Sequence, residues 1–129
     1  ACGRPSGCSL AELCGYRYVL SLPGIGYANR LKQLLLCNST VVHVSYVSDE
    51  WFMPLLRDGT HIVRVASVDE VVPTIVALQA EPDRARRIAA AGTALARAWL
   101  SWEGGLSYMR TVLRGLATRR TYLLVAPTR

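Results

Sequence analysis

Apolar and polar positions change period several times along the chain, and each change predicts a new element. Tyr16 to Leu22, YRYVLSL, alternates and is rich in aromatic and β-branched residues, which predicts a strand. PGIGYANR follows, and Pro23, Gly24 and Gly26 predict a tight loop. The loop opens into RLKQLLLCN, where Leu31, Leu34, Leu35 and Cys37 or Asn38 fall at helical spacing and Asn29 can serve as N-cap. Thr40 to Tyr46, TVVHVSY, reads as a buried strand. DEWFMPLLRDG reads as a short helix or turn closed by Asp58-Gly59. His61 to Val65, HIVRV, reads as a third strand. Ser67 or Asp69 can cap a helix through VVPTIVALQAE, with Pro73 in its first turns, where a missing N–H costs little. Asp83 is read as the cap of a long helix, RARRIAAAGTALARAWL, with Ile88, Ala91, Leu95 and Leu100 turned inward. Gly104 and Gly105 separate it from LSYMRTVLRGLATRR, which places Leu106, Met109, Val112, Leu113 and Leu116 on one helix face.

Strands alternating with helices predict an α/β fold, a Rossmann-like parallel sheet with helices on both faces. The boundaries read as an irregular lead-in over 1–13, one domain over 14–120 and a tail over 121–129. In open α/β sheets ligands bind at the carboxyl ends of the strands, which is where the PGIGYANR loop falls.

The size of the chain fits this picture, since 129 residues and 14.1 kDa hold one ordinary domain. The longest uncharged apolar run, Leu34 to Val44, has about eleven residues, short of the roughly 18 that a bilayer span needs. The first residue is Ala1, so the chain is expected to be a fragment or a processed product. The net charge of +6 is uneven: eight of the nine acids precede Arg84, while nine of the fifteen basic residues lie from Arg84 onward. Nucleic acid, an anionic membrane surface or a phosphorylated ligand can each exploit a basic third, and so can plain solvent. Nucleic-acid binding is disfavoured, because Trp99, Trp102 and Tyr108 form no regular stripe with Arg84, Arg87 and Arg97. Cys2, Cys8 and Cys14 are spaced by six, with no pair at zinc-ligand spacing, and no metal is expected. Disulfides among these three are open, and Cys37, in an apolar stretch, reads as a buried thiol.

A glycine loop running into a helix offers backbone amides to an anion, phosphate above all. Arg30 adds a guanidinium that can grip a diphosphate bidentately. The third glycine of a dinucleotide fingerprint is absent, since Asn29 stands there, and no Walker-type loop exists.

These residues carry a resemblance. Gly24, Arg30, Lys32, Leu34, Ser39, Glu50-Trp51-Phe52, Leu56, His61 and Val65 follow the order and spacing of the C-terminal half of the CAP10-type glycosyltransferases, which include protein O-glucosyltransferases and capsule xylosyltransferases. Asp83, Ala85, Ile88, Ala89, Gly92, Ala96, Leu100 and Tyr108 continue the pattern, so the resemblance spans roughly residues 16 to 115. It implies a GT-B architecture in which 14–120 is the donor-binding half. It implies transfer of glucose or xylose from a UDP donor to a protein or glycan hydroxyl, with inversion and without a metal. On that resemblance Gly24, Gly26, Tyr27 and Ala28 belong to the loop that approaches the donor, Arg30 grips its diphosphate and Glu50 takes the ribose hydroxyls. Trp51 stands either in the core or against the ligand. The family's small hydroxyl residue is replaced, since Tyr27-Ala28-Asn29 stands there, and Asn29 can still donate to a phosphate. The family's catalytic Asp belongs to an N-terminal half outside these 129 residues, so the chain is expected to be silent alone. The resemblance places such proteins in the secretory pathway. It also has the last helix, 101–120, cross back to the missing half and leave an apolar face exposed. The alternative is a non-catalytic nucleotide-binding or interaction domain from a truncated product.

Overall fold

The computed structural model describes residues 8–24, 30–45 and 50–119. Three parallel strands, β1 (Tyr18–Ser21), β2 (Thr40–Val44) and β3 (Val63–Val65), form a sheet in the order β1-β2-β3. Tyr18 pairs with Thr40, Ser21 with His43 and Val44 with Val65. All five residues of β2 are buried, as a central strand covered on two sides requires.

The period of two divides the core. Val19 and Val41 face Leu31 and Leu34 of α2 (Leu31–Leu34), Leu35 of the 3-10 turn Leu35–Cys37, Phe52, Ile62 and Ala96. Val42, Val44 and Val65 face Val71 and Leu78 of α3 (Val71–Ala80) and Ala85 and Ile88 of α4 (Pro82–Trp99). Helices therefore flank both faces of the sheet, as the alternation predicts, and α4 contributes to both cores. Each large side chain so buried stabilises the fold by roughly 1.5–3 kcal/mol. Two buried threonines lock α4 in place: Thr40 Oγ1 donates to the Ala85 carbonyl at 2.8 Å and Thr93 Oγ1 to the Leu35 carbonyl at 2.7 Å. At Gly92 a β-carbon would lie 2.5 Å from the His61 carbonyl, so only glycine permits this approach.

Several expectations need correction. Within the supposedly irregular lead-in, α1 (Leu10–Leu13) is a helical turn closed by a capping box, Ser9 accepting the Glu12 amide and Glu12 accepting the Ser9 amide. One turn is too short to show a period. Cys37 is no thiol: it forms a disulfide with Cys14 across 23 residues, and Cys8 is disulfide-bonded as well. A loop of that length contributes about 3–4 kcal/mol by restricting the unfolded chain. The α2 helix is cut short because the chain tightens into the 3-10 turn and Asn38 adopts a left-handed conformation, φ 53°. Neither Ser67 nor Asp69 caps α3, which is preceded by a 3-10 turn, Val68–Glu70. Pro82 opens α4, and Asp83 lies in its first turn rather than at its cap. Gly104 and Gly105 do not separate helices: α5 (Trp102–Arg119) runs through both. His61 precedes β3 rather than belonging to it. Its Nδ1 accepts the Arg57 amide at 3.0 Å, beside Gly59 at φ 68°. The expected N-cap Asn29 and the tail 121–129 lie outside the described residues.

Candidate functional site

The carboxyl end of β1 runs from Ser21 through Leu22 and Pro23 to Gly24, and the chain is described again from Arg30 at the start of α2. Between strand end and helix start lies a cavity of about 490 Å³, lined by Ser21, Leu22, Pro23, Gly24, Arg30 and Gln33 among others. Its volume falls within the roughly 300–1,000 Å³ typical of small-molecule sites. Arg30 is the only charged residue among the described lining residues. It occupies the N-cap position of α2, its side chain caps no amide, and it is exposed. The guanidinium is thus not engaged by the helix it begins.

Gly24 and Arg30 therefore share one cavity. Gly26, Tyr27, Ala28 and Asn29 lie outside the described residues. Glu50 does not line this cavity among the described residues; its carboxylate stands 3.8 Å from Lys32 Nζ with only 13% of its side chain exposed. One carboxylate oxygen, Oε1, is buried with no hydrogen-bond partner among the described residues. Burial raises the Glu50 pKa above the ordinary carboxylate value, and the nearby Lys32 charge opposes that rise.

Lys32 also borders a second, largely apolar groove of about 750 Å³ formed with Trp51, Phe52, Trp102, Leu106 and Met109. Trp51 stacks on Tyr108 of α5 with centroids 4.3 Å apart and meets Phe52 edge-on at 5.8 Å. Two aromatic positions of the sequence pattern, Trp51 and Tyr108, thus hold α5 against the segment after β2. Among the described residues no group of three or more His, Cys, Asp or Glu is arranged to hold a metal ion. No helix among them is long and apolar enough to cross a membrane.

Reading the site from its loop overlooks Ser21, which the structure puts in the cavity lining. The signal was present, since Ser21 is in phase with Val19 and is the last residue of β1.

The profile of glycosyl transferase family 90 matches residues 5–128. Protein O-glucosyltransferase 1 of Homo sapiens is 32% identical over 122 residues, covering 86% of this chain and 30% of that protein. Its Mus musculus counterpart is 29% identical over 129 residues, covering 93% of this chain and 33% of that protein. An O-glucosyltransferase rumi homolog of Aedes aegypti is 36% identical over 86 residues, covering 64% of this chain and 21% of that protein. The chain thus spans about a third or less of the length of these curated relatives. The profile match over nearly the whole chain shows that this chain belongs to glycosyl transferase family 90, the CAP10-type group.

Proposed function

We propose that this chain is the donor-binding half of a GT-B glycosyltransferase that moves a sugar, glucose or xylose, from a UDP donor to a hydroxyl of a protein or glycan. The observation that carries the reading is the shared cavity of Gly24 and Arg30 at the carboxyl end of β1. The donor diphosphate lies against Arg30, whose fork matches two phosphate oxygens, and the resemblance adds Gly26, Tyr27, Ala28 and Asn29 to the donor-binding residues. Arg30 and backbone amides meet the leaving-group charge, so the reaction runs without a metal. Glu50 stands beside Lys32 and outside the described lining of that cavity, so this reading gives it no contact with the donor.

Inversion requires a base that reaches the acceptor hydroxyl. We assign that base to a region of the full-length protein beyond these residues, so this chain binds donor and does not turn it over. The disulfides of Cys8 and of Cys14–Cys37 suit an oxidising compartment, which supports a secretory-pathway location.

The test is calorimetric titration of UDP in the presence of EDTA. Saturable binding that falls about tenfold or more in Arg30→Ala, some 1.4 kcal/mol, supports the reading. Binding that is indifferent to Arg30 overturns it.

A further inference from the structure

The strand face that carries Val19 and Val41 changes character at its carboxyl end. In phase with those valines stand Ser21 and His43, paired in register across β1 and β2. Both are buried, 3% and 2% exposed, and His43 Nδ1 lies 3.2 Å from Ser21 Oγ. A hydroxyl and an imidazole thus stand together where the sheet opens onto the cavity. Of the two, Ser21 lines the cavity, with Gly24 and Arg30.

We propose that Ser21 donates its hydroxyl proton to an anionic oxygen of the donor nucleotide and that His43 is the positioning residue that makes this possible. The proposal rests on the donor-site reading above. The chemistry turns on one proton. A serine hydroxyl donates once, and an anion accepts and never donates. If Ser21 gives its proton to Nδ1, it shows the cavity only lone pairs, which repel phosphate. If His43 carries the proton on Nδ1 and donates to Ser21 Oγ, the serine O–H turns to the ligand. The imidazole tautomer therefore decides whether Ser21 attracts or repels an anion. A purely structural tie between β1 and β2 would be indifferent to which atom holds the proton.

UDP is titrated into the 129-residue chain and its variants, with folding of each checked by circular dichroism. Ser21→Ala is expected to weaken UDP about five- to tenfold, the effect of one lost hydrogen bond. Ser21→Thr, which keeps the hydroxyl, and His43→Asn, whose amide nitrogen can replace Nδ1–H, are expected to stay within about threefold of wild type. Nitrogen-15 shifts of the His43 ring in the UDP-bound wild type are expected to report a protonated Nδ1. That measurement decides the matter if Ser21→Ala does not fold. A bare Nδ1 in the bound state overturns the proposal. So does a folded Ser21→Ala that binds UDP as tightly as wild type while Arg30→Ala loses affinity, and this result leaves the donor reading intact. Absence of UDP binding by the wild-type chain overturns the donor reading, and this contact with it.

Discussion

Arg30 and His61 show how single side chains are committed before any ligand arrives. A cation at the start of a helix is unfavourable by about 0.3–1 kcal/mol, and the Arg30 side chain caps no amide of α2 in return. That cost fits a residue kept for an anion. His61 is committed in the opposite sense. Its Nδ1 accepts the Arg57 amide, so the ring must be neutral, and burial followed by the Arg57 charge holds its pKa below the ordinary imidazole value. A folded pKa below the unfolded one gives stability that is present above about pH 6.5 and is lost as pH falls through the folded value. Thermal melts are therefore expected to show a drop from pH 7.5 to pH 5 that His61→Asn, a non-titrating acceptor at the same position, reduces. An equal acid slope in both proteins would contradict this. The sequence makes Arg30 legible, because its type and place next to glycines are already chemistry. It does not reveal the His61 bond, which depends on how Gly59 folds the turn back.

At the scale of elements, apolar periodicity locates the three strands and the long helices, because each buries a face against the next. It fails where a non-periodic contact sets the boundary. Asn38 ends the helical region through its left-handed backbone, and the Cys14–Cys37 bridge ties that end to α1. Gly104 sits where α4 meets α5: a β-carbon there would lie 2.5 Å from the Trp99 carbonyl. A glycine read as a breaker is in fact demanded by packing inside a helix. The same logic predicts opposite outcomes for two helical glycines. Gly92→Ala meets the His61 carbonyl and is expected to lose about 1–3 kcal/mol of stability, outweighing the gain in helix propensity. Gly115→Ala has open space around it and is expected to gain up to about 1 kcal/mol. Denaturant midpoints of the two variants check both signs, and a Gly92→Ala protein as stable as wild type would contradict the packing described here.

For the whole molecule, one face stands out. Leu106, Met109, Val112, Leu113 and Leu116 of α5 are 37–59% exposed, and Trp102 at its start is 77% exposed. The helical spacing of these residues gives the face away in the sequence, and the length against relatives gives it a context: about a third or less of their span is present. The chain is expected to bind a hydrophobic dye, and a Met109→Lys/Leu113→Lys variant to bind markedly less. A monodisperse monomer that leaves the dye dark would contradict this. The cavity at the end of β1 is legible from sequence only at its ends. Gly24 and Arg30 are read from their types, whereas Ser21 enters through strand phase and Glu50 turns out to belong beside Lys32.

The central claim is that the cavity between the end of β1 and Arg30 receives the donor diphosphate. Titration of UDP into the chain in EDTA, beside Arg30→Ala, tests it most directly. The account predicts saturable binding that falls about tenfold or more in the variant. A folded chain that binds no UDP, or binds it equally well without the Arg30 guanidinium, would contradict it.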